Sequence, residues 1–349
     1  MTDVVRIDPL DPDPARIADA AARLRAGRLV AFPTETVYGL GVHALDRAAV
    51  HRLFEAKGRP ASDPLIVHVP SLEAVRALVR ALPPEAERLA LRFWPGPLTL
   101  VLPRAGVVPD EVTSGLGTVA VRVPAHPVAR ALIIAAGIPV AAPSANLFSR
   151  PSPTRAAHVL EDLRGRIDLV LDGGTTAVGI ESTVVSLSGE TPVVLRPGAV
   201  SLEQLREEVP GVEARPALGA GAAMPSPGLL EKHYSPRAPL TLYAGSAESA
   251  LARLFRDARA AARDGRAVGL LLLHDDIASM PPGLAAVVCD LGRASDLDLV
   301  AARLYSALRE LDASGVDLIL AHELQQTTGL GAAIRDRMTR AAAGRVSRD

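Results

Sequence analysis

Short apolar runs alternate with longer helical stretches along most of this 349-residue chain. Runs such as "PLIVHV", "LTLVL" and "IPVAAP" have the length and the branched apolar residues of buried strands. A helix is predicted from Asp13-Pro14, an N-cap followed by proline at the first helical position, to Gly27. Helices mixed with strands predict an α/β domain of roughly two hundred residues, with strands running in both directions.

A change of composition divides the chain. Residues 211–238 are rich in Gly, Ala and Pro and show no sustained period, which predicts a linker. A loop of this length is either disordered or functional. After it, strand-like runs alternate with helical stretches at 246–262 and 297–312. We therefore predict an α/β domain over 1–210, a linker or functional loop over 211–238, and a smaller α/β domain of the strand–helix–strand kind over 239–349.

Charge, aromatic content and cysteine use exclude several classes of protein. The formal net charge is −1 and aromatic residues make up 3% of the chain. Both values argue against a nucleic-acid-binding surface over the whole protein, although a local basic pocket stays possible. The single cysteine, Cys289, cannot form an internal disulfide, and the sequence has no Cys/His cluster for a structural zinc.

No targeting or membrane signal is evident. Residues 1–14 are acidic and proline-rich and lack the basic start of a signal peptide. The longest apolar region is interrupted by Gly137, Pro139 and Pro143, and it is too short to span a bilayer. We therefore expect a soluble cytoplasmic protein without membrane association.

Lysine is rare in this chain. Lys57 and Lys232 are its two lysines, and all other Lys/Arg positions are arginines. Each lysine is a candidate for a place that needs a compact ammonium group. Survival by chance is the alternative.

Three pairs of polar residues share an i, i+2 spacing just beyond a predicted strand or helix end. In extended backbone, such side chains point the same way, whereas on a helix they do not. The three pairs are Thr34/Thr36, Lys57/Arg59 and Ser144/Asn146.

The pair Lys57/Arg59 indicates an anion site. Gly58 ends the preceding helix, and Pro60 biases Arg59 toward extended geometry. Two cations without an obvious nearby carboxylate would bind a phosphate or a carboxylate. The alternative is a solvated helix end, where basic residues interact favourably with the helix dipole.

The other two pairs follow strand ends, where ligands of open α/β sheets bind. Ser144 and Asn146 come directly after the apolar run "IPVAAP", and their hydroxyl and amide groups can orient an oxyanion. Thr34 and Thr36 follow the run ending at Phe32. For both pairs the alternative is a turn in which these side chains bond to nearby backbone.

Further polar residues lie within or beside apolar strands. The charge of Arg122 needs a partner or a bound anion, and His68 is either a satisfied core histidine or the wall of a site. Ser182 and Arg196 begin and end a predicted strand pair. Without a Ser-His-Asp order or a P-loop, a cavity of such groups favours positioning and charge stabilisation of anions, as in phosphoryl or nucleotidyl transfer.

The ordered motifs of residues 29–198 resemble those of a known family. They are "FPTETVYGLG", "KGRP", "DPLIVHV", "WPGPLTLVL", "VAVRVPAHP", "AAPSAN…RPSPT", "GIESTVV" and "LRPG". Together they resemble the successive motifs of the YrdC/Sua5 family. "SPGLLEKHYSPRAP" is similar to the family's His-Tyr-x-Pro loop, and "GLGAAIRDRMTRAA" to the close of its long two-domain Sua5 form. The resemblance implies a YrdC-like twisted mixed sheet with flanking helices, plus a smaller Rossmann-like α/β domain.

The resemblance also implies an activity, that of an L-threonylcarbamoyladenylate synthase. The family uses L-threonine, bicarbonate and ATP with Mg²⁺ to form threonylcarbamoyl-AMP and pyrophosphate, which makes it a nucleotidyltransferase. A partner, a tRNA threonylcarbamoyltransferase, then modifies adenosine 37 of tRNAs. Mg²⁺ is expected through the ATP phosphates rather than through a protein site. A monomer without stable nucleic-acid binding is expected.

Carried over position by position, the resemblance assigns three sets of site residues. The set around the reacting groups is Lys57, Arg59, Ser144 and Asn146. The threonine-binding set is Thr34, Thr36, His68, Arg122, Ala142 and Ser182. The ATP-binding set is Arg59, Asp63, Thr118, Ser144, Ser152, Arg196, His233 and Tyr234.

The chain departs from the family pattern at two places. Asp63 stands where the family often has asparagine, and a carboxylate near phosphates prefers Mg²⁺ or water to direct contact. Phe148-Ser149 replaces a frequent Ser-Gly, which predicts a reshaped pocket rim. A loop carrying Lys232, His233 and Tyr234 is expected to close over the site, because the product hydrolyses easily.

Two other functions stay open. One is carbamoyl transfer on the same fold, as in hydrogenase maturation, but those proteins carry zinc fingers and this chain has a single cysteine. The other is a non-catalytic RNA-binding module, which the near-neutral charge and few aromatics disfavour. A gel shift without ATP would distinguish it.

Overall fold

The computed structural model describes residues 1–214 and 233–348. The described residues form two compact units. The first unit contains residues 1–148 and 153–214, and the second contains residues 149–152 and 233–348. Most of the predicted linker, including Lys232, lies outside the described residues.

A mixed β-sheet forms the centre of the first unit. Its strands are β1 (Asp3–Arg6), β2 (Val30–Pro33), β3 (Tyr38–His43), β4 (Ile66–His68), β5 (Leu98–Pro103), β6 (Thr118–Arg122), β7 (Val140–Ala141), β8 (Leu169–Asp172), β9 (Thr183–Ser186), β10 (Val193–Arg196) and β11 (Glu213–Ala214). Its helices are α1 (Pro14–Arg25), α2 (Arg47–Lys57), α3 (Leu72–Val75), α4 (Pro84–Phe93), α5 (Asp110–Thr113), α6 (Pro127–Ala136), α7 (Ala156–Leu163) and α8 (Leu202–Glu208).

The strands of this sheet run in both directions, as the sequence predicts. Their order is β1-β8-β2-β3-β7-β4-β6-β5-β9-β10-β11. The sheet contains parallel pairs, such as β4 with β6, and antiparallel pairs, such as β3 with β7. The strand pair predicted from "STVVSL" and "TPVVLRP" is β9 with β10, and it is antiparallel.

Both faces of β2 are buried. Val30 and Phe32 belong to a core cluster with α1 and α6, whereas Ala31 belongs to a second cluster with α2 and α4. This division follows from the strand, in which successive side chains point to opposite faces. The loop that follows β2 is therefore anchored by packing on both sides of the sheet.

Caps fix the ends of α1 and α2. The Asp13 side chain accepts the N–H of Ala15 at the start of α1, with proline at the next position as predicted. Asp46 caps α2 in the same way by accepting the N–H of Ala49. Gly58 ends α2 at φ 61°, a left-handed conformation that glycine adopts without steric cost. The chain therefore turns directly between Lys57 and Arg59.

The second unit is a parallel α/β sheet, which confirms the predicted smaller α/β domain. Its strands are β12 (Leu240–Tyr243), β13 (Val268–Leu272), β14 (Val287–Asp290), β15 (Leu318–His322) and β16 (Val346–Ser347), in the order β14-β13-β15-β12-β16. Its helices are α9 (Ala247–Arg263), α10 (His274–Ile277), α11 (Leu297–Ala313) and α12 (Gly329–Ala342). Each pair of neighbouring strands is parallel. Cys289 lies in β14 and is buried.

Within the described parts of the chain, no helix combines the length and the apolar character needed to cross a bilayer.

Candidate functional site

The loop between β2 and β3 is built around the hydroxyl of Thr34. That oxygen lies 3.2 Å from the backbone nitrogens of both Thr36 and Val37, which donate to it. It also lies 2.8 Å from the Thr36 hydroxyl. Thr34 therefore stabilises the turn, as the turn alternative predicts, whereas the hydroxyl of Thr36 is held in place for other contacts.

Arg122 bonds to this loop from the end of β6. Its Nη1 donates to the Thr36 hydroxyl at 3.1 Å, and its Nη2 lies 2.6 Å from a carboxylate oxygen of Glu35. Its Nε donates to the carbonyl of Gly96 at 3.1 Å. A guanidinium has five N–H donors, and these contacts use three of them. The protein partner that the charge of Arg122 requires is thus Glu35, and two of its donors make no bond to the described residues.

Glu35 is ionised in this setting. Burial raises the pKa of its carboxyl, but the neighbouring Arg122 outweighs burial, so the pKa lies below its ordinary value. The second carboxylate oxygen accepts the backbone N–H of Ala125 at 3.0 Å. Glu35 is not among the individual site residues predicted from the sequence. Its signal was the carboxylate within "FPTETVYGLG", directly after a buried strand.

His68 lies opposite Arg122 in the pairing of β4 with β6. It is buried, and burial together with the charge of Arg122 lowers its pKa to about 3. Its Nδ1 lies 3.3 Å from the carbonyl oxygen of Ile66, which accepts the ring proton. His68 is therefore a neutral side chain beside the Arg122–Glu35 pair.

A second buried contact group forms around Ser182, the residue before β9. Arg196 donates to the Ser182 carbonyl from Nε at 3.2 Å and from Nη2 at 3.0 Å. Nη2 also lies 3.2 Å from the Ser182 hydroxyl, which is 2.8 Å from the hydroxyl of Thr99. Ser182 and Arg196 are thus in contact, and Thr99 is an additional member of this group, outside the residues predicted from the sequence. A threonine within the apolar run "LTLVL" was the available signal.

Lys57 crosses from the end of α2 to the segment that follows β7. Its Nζ donates to the carbonyls of Ser144 at 2.5 Å and Asn146 at 2.6 Å. Lys57 is 2% exposed, and an ammonium has three donors. The structure therefore brings together the members of two predicted pairs, but through backbone carbonyls instead of side chains.

The environment of Lys57 disfavours its charged form. Burial lowers its pKa well below the ordinary value, and the charge of Arg59 lowers it further. The carboxylates of Asp63 and Asp162 act in the opposite direction. The two carbonyl contacts stabilise the ammonium in place of water.

Arg59 pairs with a carboxylate, which corrects one expectation. From the sequence, neither cation of the Lys57/Arg59 pair has an obvious nearby carboxylate. Nη2 of Arg59 lies 2.9 Å from Oδ2 of Asp63, and both side chains are buried. The turn after α2 produces this contact, because the N–H of Asp63 donates to the carbonyl of Pro60 and returns the chain toward Arg59.

The remaining predicted residues of the first unit lie on the same set of strands. Thr118 is the first residue of β6 and is half-buried. Ala142 follows β7, and its N–H donates to the carbonyl of Ile66 at 2.9 Å. Ser144 is half-buried and bridges to Gly39 of β3. Asn146 is buried, and its Nδ2 donates to the carbonyl of Leu147 at 2.7 Å.

Strand pairing links these contact groups within the first unit. Pro33, which precedes Thr34, pairs with Tyr38 of β3. The Tyr38 carbonyl accepts the N–H of Ala145, between Ser144 and Asn146. Gly96, whose carbonyl accepts a bond from Arg122, lies just before β5. Strand β5 pairs with β9, which begins directly after Ser182. The threonine loop, the Lys57 contact and the Ser182 group are therefore connected by adjacent backbone.

Ser152, His233 and Tyr234 belong to the second unit. Tyr234 is buried and has φ 60°. Its ring lies 5.4 Å from that of Tyr305, and the Arg337 guanidinium is 5.3 Å from its centre. These contacts hold Tyr234 within its own unit. The nucleotide contacts expected of the three residues stay predictions.

The chain matches two family models in succession. Residues 22–198 match the Sua5/YciO/YrdC model, described as "Telomere recombination". Residues 200–343 match the Sua5 C-terminal model, described as "Threonylcarbamoyl-AMP synthase, C-terminal domain". Together the two models cover most of the chain.

Proteins of known name are similar over nearly the whole length. The threonylcarbamoyl-AMP synthase of Bacillus subtilis is 45% identical over 98% of this chain and 97% of its own length. That of Pyrococcus abyssi is 43% identical over 95% of each chain. A crystal structure of P. abyssi Sua5 complexed with L-threonine superimposes with a TM-score of 0.93 at 42% identity and covers all of both chains.

Proposed function

Because this chain belongs to the YrdC/Sua5 family in its two-domain Sua5 form, we propose that it is an L-threonylcarbamoyladenylate synthase. The reaction joins L-threonine, bicarbonate and ATP into threonylcarbamoyl-AMP and pyrophosphate, for modification of tRNA. The observation that carries the proposal is the full-length similarity to named synthases, together with a cluster suited to an amino acid at Arg122. The reaction class is that of a nucleotidyltransferase.

The Arg122–Glu35 pair suits a zwitterionic substrate. Two guanidinium donors of Arg122 are left for the threonine carboxylate, and charge-assisted bonds of this kind are strong. Glu35 supplies a negative charge for the amino group before it reacts. The threonine-binding set proposed from the sequence is Thr34, Thr36, His68, Arg122, Ala142 and Ser182; the contacts of the first unit add Glu35.

The neutral state of His68 matters for this pocket. A second positive charge beside Arg122 would repel the amino group of threonine. With a pKa of about 3, His68 stays uncharged at neutral pH. It therefore forms a polar wall without changing the net charge of the pocket.

The nucleotide end of the site is proposed around Lys57, Arg59, Ser144 and Asn146. Arg59 would stabilise charge on the phosphates, and the hydroxyl of Ser144 with the amide of Asn146 would orient phosphate oxygens. Lys57 acts here by holding the carbonyls of Ser144 and Asn146. The proposed ATP-binding set also includes Asp63, Thr118, Ser152, Arg196, His233 and Tyr234.

Mg²⁺ is proposed to enter with ATP. Among the described residues, no group of three His, Cys, Asp or Glu side chains could hold a metal ion, and the carboxylate of Asp63 is paired with Arg59. This donor set fits an ion held by phosphate oxygens and water. When bound, Mg²⁺ neutralises charge on the phosphates.

Two steps make up the proposed reaction. The neutral threonine amine attacks bicarbonate or CO₂ to give a carbamate, with loss of water when bicarbonate is the donor and of a proton to solvent when CO₂ is. A carbamate oxygen attacks the α-phosphorus of ATP, and the bond to pyrophosphate breaks. Arg122 keeps the amino acid in place, and the Lys57-held segment positions the phosphates, so the protein acts by orientation and charge stabilisation.

We also propose how the product is used. Threonylcarbamoyl-AMP hydrolyses easily, so direct hand-over to a tRNA threonylcarbamoyltransferase is favoured over free diffusion. The protein is proposed to act as a cytoplasmic monomer without stable nucleic-acid binding.

Pyrophosphate release tests the proposed function. The purified full-length protein is incubated with ATP, Mg²⁺, bicarbonate and each amino acid in turn. We expect release with L-threonine and little with L-valine or L-alanine, since the hydroxyl of Thr36, which Thr34 holds in place, lies beside Arg122. Release independent of the amino acid, or no release with threonine, would contradict the proposal.

A further inference from the structure

Residues 149–152, here called the strap, belong to the second unit although both flanking segments belong to the first. Three contacts of the strap within the second unit account for this. The carbonyl of Ser149 accepts the N–H of Ser235 at 2.7 Å. Arg150 Nη1 lies 2.9 Å from Oδ2 of Asp312. The carbonyl of Pro151 accepts Nη2 of Arg309 at 2.6 Å.

The chain on either side of the strap is tied to site segments of the first unit. The N–H of Phe148 donates to the carbonyl of Lys57 at 2.9 Å. The carbonyl of Pro153 accepts the N–H of Tyr38 at 2.8 Å. Asn146 is three residues from the start of the strap. The strap is therefore separated by a few covalent bonds from the segment that Lys57 holds.

Asp312, near the end of α11, is the central contact of the strap. Its side chain is 3% exposed. Besides Arg150, its carboxylate accepts the N–H of Arg237 at 2.9 Å and that of Ala238 at 3.1 Å. Asp312 thus binds both the strap and the chain that enters β12. These donors offset the cost of removing the Asp312 carboxylate from water, and the carboxylate in turn fixes the geometry of its partners.

We propose that Arg150 and Asp312 are positioning residues for the nucleotide end of the site. Their ion pair holds the strap, and the strap holds the segment of Ser144 and Asn146 in the geometry that binds ATP. A buried ion pair contributes little net stability compared with apolar packing, so its value lies in fixing one arrangement. The inference rests on the proposed function and gives the second unit a role in it.

The two substrates separate this role from a general effect on folding. The contacts of Arg122 with Glu35 and Thr36 are made within the first unit and do not involve the strap. Loosening the strap should therefore weaken ATP binding and leave threonine binding nearly unchanged. A smaller folded fraction would instead lower kcat and leave both KM values unchanged.

The variants are Arg150→Ala, Asp312→Asn and the double variant, with Arg150→Lys as the conservative change. Asp275→Asn is the matched control, because Asp275 pairs with Arg293 at 3.1 Å on the exposed surface of the same unit.

Pyrophosphate release is measured while ATP and threonine are varied separately. We expect KM for ATP to rise about tenfold in Arg150→Ala, because a shift of a positioned group by a fraction of an ångström is enough for a loss of this size. KM for threonine should stay within about twofold of wild type, the control should match wild type, and Arg150→Lys should recover part of the loss.

The double variant tests whether the two residues act through one contact. If they do, Arg150→Ala/Asp312→Asn should bind ATP no more weakly than the weaker single variant. An unchanged KM for ATP in Arg150→Ala would overturn the inference, and so would an equal rise of both KM values. Calorimetric titration with ATP gives a second readout that does not depend on turnover. A wild-type protein that binds ATP but releases no pyrophosphate would contradict the proposed function. In that case, the difference in ATP affinity between wild type and Arg150→Ala would still decide the role of the strap.

Discussion

Glu35 and Arg122 form a buried ion pair between residues 87 positions apart, with 2.6 Å between Oε1 and Nη2. The pair joins the loop after β2 to the end of β6. It explains why two hydroxyls and a carboxylate follow the buried strand β2. Thr34 stabilises the turn, whereas Thr36 and Glu35 hold Arg122 in place. The guanidinium is thereby fixed before any ligand arrives.

Removal of the Glu35 charge should change how stability depends on acid. The folded pKa of Glu35 lies below that of the unfolded chain, so its stabilisation is present above about pH 4.3 and is lost as pH falls further. Glu35→Gln should therefore unfold more easily at pH 7 and show a flatter loss of stability below about pH 4.5. Urea unfolding at several pH values measures this. Glu73→Gln, at an exposed ion pair with Arg76, is the control and should leave the profile unchanged.

Protonation of His68 should destabilise the fold. Its folded pKa of about 3 lies below the ordinary value of 6.5, so below about pH 6.5 the unfolded chain binds a proton that the folded chain does not. The free energy of unfolding should fall as pH drops from 6.5 toward 3, and His68→Gln should lose less over this range. The exposed His51 offers a comparison, because His51→Gln should follow wild type. A wild-type slope that His68→Gln retains would contradict the buried neutral histidine.

Substitution of Lys57 should abolish activity through the segment that it holds. Lys57→Met removes both bonds to the carbonyls of Ser144 and Asn146 and keeps the buried volume. We expect threonine-dependent pyrophosphate release to fall at least about a hundredfold, because the phosphates lose their oriented partners. Lys57→Arg should fail as well, since a planar guanidinium does not replace a compact ammonium. Circular dichroism confirms folding, and full activity of either variant would remove Lys57 from the site.

The Asp63–Arg59 pair predicts opposite effects of two changes. In the proposed site, Asp63 would compete with phosphate oxygens for the Arg59 guanidinium, with which it pairs at 2.9 Å. Asp63→Asn should therefore lower KM for ATP severalfold, whereas Arg59→Ala should raise it strongly. Steady-state kinetics with varied ATP measures both. A raised KM in Asp63→Asn would show instead that the carboxylate itself helps to bind the nucleotide.

The sequence predicts the fold better than the contacts of the site. Apolar runs of strand length mark β4, β5 and β6 directly, because burial determines composition. The contact of Lys57 with two carbonyls has no such signal, since every residue carries a carbonyl. The pairing of Glu35 with Arg122 depends on the order of strands in the sheet, which local spacing does not determine. The grouping of the strap with the second unit arises from contacts with residues more than eighty positions away.

The sole cysteine of the chain has a practical consequence. Burial, with Glu310 nearby, raises the pKa of the Cys289 thiol to about 11. Since the thiolate is the reactive form, we expect Cys289 to react slowly with maleimides and oxidants at neutral pH. A cysteine introduced at an exposed position would thus be the fast-reacting thiol, which allows fluorophores or spin labels to be attached to the native chain without first replacing Cys289.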